Sequence, residues 1–242
     1  MSSKSMTLVH QAERQLSAEL LRRIPLLAHL SDAELSELAQ VMRVTRFNRQ
    51  DTVLSKGDTS DRLLFLLHGR LQVVDYTKDG REIGLNVIEE GAFFGELTLL
   101  DNHPRSATVV AMAPSAVASL PKAPALKLIY GNPGVAEKMF SHFAQSIRRL
   151  SSFRALLAIP SANQRVYAFL CQAKQRAPDQ SGTEVIENVP TQQQIAIMMN
   201  TSRETVSRVI GDLVRRGILQ KNARTIVIHR PQQLEALASE EH

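Results

Sequence analysis

The stretch that decides the fold runs from Thr191 to Arg208, TQQQIAIMMNTSRETVSR. Thr191 followed three residues later by Gln194 is a capping-box start, and Ile195, Met198 and Met199 recur at helical spacing, which predicts that they are buried. Asn200 stands where a tight turn is needed, and an amide side chain tolerates positive φ better than most residues. Ser202 is a strong N-cap for a second helix. Advancing about 100° per residue from Arg203, Ser207 falls near 40°, Glu204 near 100° and Arg208 near 140°, while Val206, Val209, Ile210 and Leu213 lie between about 240° and 340°. The second helix therefore has a polar face and an apolar face. The polar face carries two guanidinium forks able to pair with guanine O6 and N7, and a carboxylate able to accept from a cytosine amino group. The alternative, a charged and solvated helix flank, leaves the caps, the turn residue and the facing pattern as coincidences.

Charge supports the same reading. Residues 188–230 hold seven Lys/Arg against Glu204 and Asp212, a local +5, so the remaining 22 basic and 22 acidic residues cancel. All the excess positive charge of the chain surrounds the helix pair, as a polyanion partner requires. Cys171 is the only cysteine, which excludes intramolecular disulfides, cysteine-ligated clusters and thiolate zinc cages. It lies in the apolar helical run VYAFLCQA and reads as a core thiol. The seven His are scattered without ligand spacing, so neither metal nor haem is expected. With no apolar run long enough for a bilayer and no signal-type N-terminus, a cytoplasmic protein is expected.

Residues 1 to about 16 read as a polar tail, and IPLLAHLSDAELSEL (residues 24–38) as two short helices, the second capped by Ser31. From Val41 to Val117 the pattern shortens to strands: Val53-Leu54, Leu63–Leu67, Leu71–Val74, Ile83–Ile88 and Val109–Ala113. Gly57, Gly69, Gly80 and Gly91 punctuate them, and such regular spacing implies a β-sandwich or jelly-roll barrel. After Asn132-Pro133 the period changes. Ala136, Phe140, Phe143, Ile147, Leu150, Arg154 and Leu157 follow at alternating spacings of four and three, a heptad stripe ended by Pro160. A stripe sustained this long predicts a two-fold dimer seam rather than packing on the chain's own barrel. Arg154 departs from the apolar pattern and either fixes register or meets an anion. Ser161 caps a further helix over Arg165–Ala173, a loop covers Ala177–Gly182, and Glu184–Val189 predicts a strand. Gly217–Leu219, Lys221-Asn222 and Thr225–Ile228 read as strand, turn and strand, completing a winged helix-turn-helix, with a short helix in QQLEALASEEH.

The sensor half has its own motif, FGELTLLDNHPRSATV (residues 94–109). Gly95 lets a ligand approach its backbone, Glu96 is an acceptor suited to a ribose hydroxyl, and Leu97–Leu100 reads as one helical turn with its amides toward an anion. Arg105 is a permanently charged, bidentate phosphate partner, with Ser106 and the amide of Ala107 as neutral donors. With FGELTLL…PRSATV and SRETVSR together, the chain from about Leu21 to Arg230 resembles the cAMP receptor protein and FNR family of bacterial transcription regulators.

The resemblance implies an α+β protein: a jelly-roll cyclic-nucleotide-binding barrel (residues 21–131, after a tail of residues 1–20), a dimerisation helix (132–160) and a winged helix-turn-helix domain (161–242). It implies that Glu96 binds the ribose 2′-hydroxyl and that Arg105 and Ser106 bind the cyclic phosphate of an allosteric nucleotide, cAMP foremost. Arg203, Glu204 and Arg208 become base readers of a TGTGA-like palindromic site in double-stranded DNA; Thr191, Gln192 and Ser202 become phosphate contacts, and Lys221 sits on the wing. A homodimer and contact with RNA polymerase are implied, and no enzymatic activity. Leu150-Ser151 stands where the cAMP receptor presents a Thr-Ser pair to the adenine, so Ser151 keeps only half of that contact. The N-terminal cysteines of the oxygen-sensing branch are absent. Some relatives use the scaffold for cyclic di-GMP, and Arg148, Arg149 and Arg154 either serve a second phosphate or form a solvated helix flank. Two further readings remain: a scaffold active without effector, and a nucleotide-gated regulatory subunit of a partner enzyme.

Overall fold

The computed structural model describes residues 16–76, 82–176, 184–187, 189–223 and 225–239. The expected N-terminal tail up to residue 15, the break at Gly80 and the loop Ala177–Gly182 lie outside these. The chain divides into two compact units, Met1–Phe143 and Ala144–His242.

The first unit opens with α1 (Ala18–Arg22), capped by Ser17, and α2 (Asp32–Val41), which starts with a full capping box between Ser31 and Glu34. A helix was expected from Ile24. Instead, Ile24, Leu27 and Leu30 each donate their amide to the carbonyl three residues back, a run of turns. Pro25 lacks the amide a helix needs, and the turns still bury Ile24, Leu26, Leu27 and Leu30.

Among the described residues eight strands follow: β1 (Arg43–Phe47), β2 (Thr52–Leu54), β3 (Arg62–His68), β4 (Leu71–Tyr76), β5 (Glu82–Ile88), β6 (Phe93–Phe94), β7 (Thr108–Ala111) and β8 (Ser115–Pro121). A five-residue helix, α3 (Leu97–Asp101), interrupts them between β6 and β7. The strands form two antiparallel sheets, ordered β1-β8-β3-β6 and β2-β7-β4-β5. Leu64, Leu66, Phe94 and Val117 of one sheet pack on Leu71, Ile88, Val109 and Ala111 of the other, which is the interior of a jelly-roll barrel. Because side chains alternate along a strand, Leu63 and Phe65 of β3 point the other way. There they meet Leu21, Leu27, Leu35, Leu120 and Met139 in a second core beneath the helices. The run LLFLL is thus apolar throughout because both of its faces are covered. The helix α4 (Lys122–Gly131), absent from the sequence expectations, contributes Ala125 and Ile129 to that core.

A single helix, α5 (Pro133–Leu157), begins with proline at its first position, where the missing amide costs nothing. Its start buries Val135 and Met139 in the first unit, and near its end Leu156 joins the core of the second.

The second unit contains α6 (Ala162–Ala173), β9 (Gln175–Arg176), β10 (Glu184–Ile186), α7 (Gln192–Met198), α8 (Arg203–Arg215), β11 (Leu219–Asn222), β12 (Thr225–Ile228) and α9 (Pro231–Ser239). Its sheet has the order β11-β12-β10-β9, with β11 and β12 forming a hairpin closed at Asn222↔Thr225. Val166, Leu170, Ile195, Met199, Val206, Leu213, Ile218, Ile226 and Leu234 fill one core between helices and sheet. The terminal helix is therefore structural: it buries Leu234, and Lys174 joins Glu235 on it (2.5 Å) to Glu184 on β10 (2.9 Å). The architecture is the expected α+β arrangement of barrel, long helix and winged helix-turn-helix.

Candidate functional site

The two halves of the helix-turn-helix are fixed by their own side chains. Thr191 accepts from the Gln194 amide at 3.2 Å, while Gln194 Oε1 accepts from the Thr191 amide at 2.9 Å, completing the capping box. The turn is made by Asn200 at φ 47, and Ser202 Oγ accepts from the Thr205 amide at 3.1 Å to start α8. Val206, Val209, Ile210 and Leu213 are buried, as are Ile195, Ala196 and Met199, whereas Met198 is half-buried. On the opposite face Arg203, Glu204, Ser207 and Arg208 are exposed, with Thr191, Ser202 and Lys221 also open and Gln192 half-buried. Hydrogen bonds from its own backbone amide and from the Ser202 side chain, with the neighbouring Arg203 charge, hold the Glu204 carboxyl below its ordinary value. It is thus a pure acceptor at neutral pH.

Sequence reasoning missed two residues on α6. Arg165 donates to the carbonyls of Met199 (2.7 Å), Asn200 (2.9 Å), Ile159 (2.8 Å) and Pro160 (2.9 Å). Asn163 Oδ1 accepts from Arg208 Nη2 at 3.1 Å. Neither could be read from spacing, since the contacts of Arg165 with the turn and of Asn163 with α8 join residues at least 34 positions apart.

In the barrel, Gly95 takes φ 76, Glu96 occupies the cap position of α3, and Asn102 at φ 58 ends that helix. Arg105 is 3% exposed. Its guanidinium donates to the Gly95 carbonyl through Nη1, to the Arg62 carbonyl through Nη2 (2.8 Å) and to Ser60 Oγ through Nε (3.2 Å). The contact with Gly95 explains why that position has no side chain: a Cβ there would lie 2.5 Å from Arg105 Nη1 and 2.9 Å from Leu64 Cδ1. Three of the five guanidinium N–H groups are used, leaving one on each Nη. Burial pulls the pKa of this guanidinium down, against the opposing charges of Glu96, Asp61 and Asp58. Glu96 is itself half-buried, and burial raises its pKa against the opposing pull of His142 and Arg105. His142, on α5, sets its ring at a 55° tilt against Phe93, with ring centroids 4.8 Å apart. Ser106 and Leu97 are exposed, Ala107 is half-buried, and Thr98 and Leu99 are buried. The structure thus brings Gly95, Glu96 and Arg105 together; the partners Ser60, Arg62 and His142 carried no signal in the sequence.

Along α5, Phe140, Ile147, Leu150 and Leu157 are 69%, 63%, 70% and 43% exposed, an apolar stripe at heptad spacing. Phe143 differs: it is half-buried and packs on the core of the first unit. Ser151 and Arg154 are exposed. Among the described residues no group of His, Cys, Asp and Glu is arranged to hold a metal ion, and no helix is long and apolar enough to cross a membrane.

A barrel with a polar cassette, joined in one chain to a capped helix-turn-helix with a wing, defines a DNA-binding regulator with a nucleotide-type sensor. The comparisons agree with that class. Residues 44–131 match the cyclic nucleotide-binding domain, and residues 164–237 match the Crp-like helix-turn-helix domain. The chain belongs to the CRP/FNR family of transcription regulators, which are not enzymes. It is similar to the CRP-like cAMP-activated global transcriptional regulator of Mycobacterium tuberculosis, 26% identical over 217 residues that cover 89% of this chain and 97% of the relative. Among solved structures, the catabolite activator protein of Thermus thermophilus is 26% identical with a TM-score of 0.51, covering 88% of this chain and 98% of that one. A CooA mutant from Carboxydothermus hydrogenoformans shares the fold at 21% identity, with a TM-score of 0.71 and coverages of 93% and 98%.

Proposed function

We propose that the protein acts as a homodimer whose two α8 helices read a palindromic TGTGA-like operator, and whose affinity for it is set by a cyclic nucleotide, cAMP foremost, held in the barrel. The observation that carries the reading is the division of α8: four buried aliphatic residues on one face and Arg203, Glu204, Ser207 and Arg208 exposed on the other. A helix so capped and so divided presents base-reading groups at its start, where a recognition helix meets the major groove. In this reading Arg203, Glu204 and Arg208 contact base edges. Thr191, Gln192, Ser202 and the wing residue Lys221 contact phosphates, which supply affinity without sequence information.

In the barrel, Glu96 accepts from a ribose hydroxyl, and Arg105 with Ser106 and the Ala107 amide takes the cyclic phosphate. A phosphate oxygen takes the second N–H of Arg105 Nη1 while the first stays on the Gly95 carbonyl, so one guanidinium links the ligand to the backbone at the start of α3. Such a ligand shifts the equilibrium between two arrangements only by its differential affinity for them. The exposed stripe of α5 supports dimerisation, because apolar side chains at heptad spacing are covered by a second helix. RNA polymerase is the further partner expected at a promoter, and the cytoplasm the compartment. A role as a regulatory subunit of an enzyme leaves the polar face of α8 without use. Selection of operators from a randomised duplex library tests the reading: a palindrome with TGTGA-like half-sites is expected, and an asymmetric single site contradicts the dimeric arrangement.

A further inference from the structure

The first turn of α6 lies against the helix-turn-helix. Arg165 ties the turn at Met199 and Asn200 to the chain entering α6 at Ile159 and Pro160, so α6 and the turn preceding α8 form one bonded body. Two residues before Arg165, Asn163 accepts from Arg208 Nη2 at 3.1 Å. Asn163 is not needed to cap α6, because Ser161 Oγ already accepts from the Gln164 amide at 3.4 Å. Arg208 is exposed, at the end of a long flexible side chain, and Asn163 is half-buried on a helix that Arg165 holds in place.

We propose that Asn163 is a specificity-determining positioning residue, which holds the Arg208 guanidinium in the orientation that meets a guanine edge. The proposal rests on the base-reading role of Arg208. One Nη2 N–H goes to Asn163, and four of the five guanidinium N–H groups remain; the two needed for bidentate pairing with guanine O6 and N7 are among them. Fixing the fork before contact removes part of the ordering cost of binding, and that gain is realised only where the base matches. The chemistry of the acceptor matters. An amide oxygen orients the cation without neutralising it and without setting an anion beside DNA phosphates, whereas a carboxylate does both.

The test uses the full-length protein in the presence of cAMP and an operator selected by the parent protein from randomised duplexes, with affinities read by fluorescence anisotropy for every base substitution in one half-site. Asn163→Ala should reduce discrimination at the guanine read by Arg208 by about three- to tenfold, the worth of one net hydrogen bond, while the profile at the other positions is unchanged. Placed in an Arg208→Ala background, Asn163→Ala should cause no further loss. Asn163→Asp keeps the acceptor and should keep the discrimination profile, with binding weakened uniformly by its added charge. Uniform weakening by Asn163→Ala overturns the inference by making Asn163 a phosphate contact, and an unchanged profile overturns it outright. If Arg208→Ala itself leaves the profile unchanged, the base-reading assignment fails and the inference falls with it.

Discussion

Gly95→Ala is the sharpest perturbation of the cassette. Gly95 holds φ 76, a left-handed conformation that costs an L-residue roughly 1–2 kcal/mol. The new Cβ would also lie 2.5 Å from Arg105 Nη1 and 2.9 Å from Leu64 Cδ1, where ordinary carbon contacts need about 3.5 Å. Leu64 is 7% exposed and faces the barrel interior, so it has little room to retreat. Arg105 must move instead, breaking its bond to the Gly95 carbonyl, and a charged hydrogen bond lost in a buried setting costs about 1.5–3 kcal/mol. The two contributions add to about 2.5–5 kcal/mol, a shift in Tm of about 5–20 °C for a chain of this size. Gly57→Ala supplies the control: Gly57 has φ 90 but nothing within 4 Å of an added methyl, so only the backbone cost applies. Calorimetric melting of both variants and the parent separates the two. Gly95→Ala should melt well below Gly57→Ala and lose nucleotide binding with the displaced guanidinium. Equal destabilisation of the two variants would refute the claim that Arg105 packs against the Gly95 backbone.

Three further outcomes are expected. Replacing Phe140 and Ile147 by Asp, both on the open stripe of α5, sets charges into the proposed seam at a cost of several kcal/mol per unpaired buried ion; sedimentation should show monomers, and a double variant that stays dimeric places the seam elsewhere. Phe143 is the poorer choice, because part of it already serves the core of its own unit. Arg208→Ala should cost about 1–3 kcal/mol and relax preference at one guanine, whereas Lys221→Ala should weaken all duplexes alike and reduce the salt slope by about one; uniform weakening in both removes Arg208 from the base readers. Glu96 sets a pH dependence. Burial raises its pKa above the ordinary 4.5, so its neutral form favours the fold at acid pH, and that contribution is lost as pH rises through the folded value. The stability of the parent relative to Glu96→Gln should therefore fall as pH rises from below 4.5 toward neutrality, and a difference independent of pH contradicts the assignment.

Much of this was legible in the sequence because local chemistry dictates it. Thr191, Gln194, Asn200 and Ser202 act within a few residues of themselves, and the buried face of α8 follows from helical periodicity alone. The barrel was legible through its apolar strands but not its polar ones. Strand β1, RVTRF, buries no residue, and β8 is built of Ala and Ser as much as of Val and Leu, yet β8 pairs with both β1 and β3. Its place is set by partners distant in the chain rather than by its own propensity. Helix α4 was hidden by Pro121 and Pro124, which read as breaks but fall at its cap and in its first turn. Arg105 was found as a charged group, but its commitment to the Gly95 and Arg62 carbonyls was not, since those contacts depend on strands folding together.

That a nucleotide in the barrel controls DNA binding by the helix-turn-helix is tested most directly by the affinity of the full-length protein for its selected operator, titrated with cAMP, cGMP and cyclic di-GMP. Operator affinity should rise with cAMP, and Arg105→Lys, which keeps the charge but cannot span the same three acceptors, should abolish the response while leaving weak non-specific binding. Full operator affinity without any nucleotide, identical in the parent and in Arg105→Lys, would contradict that control.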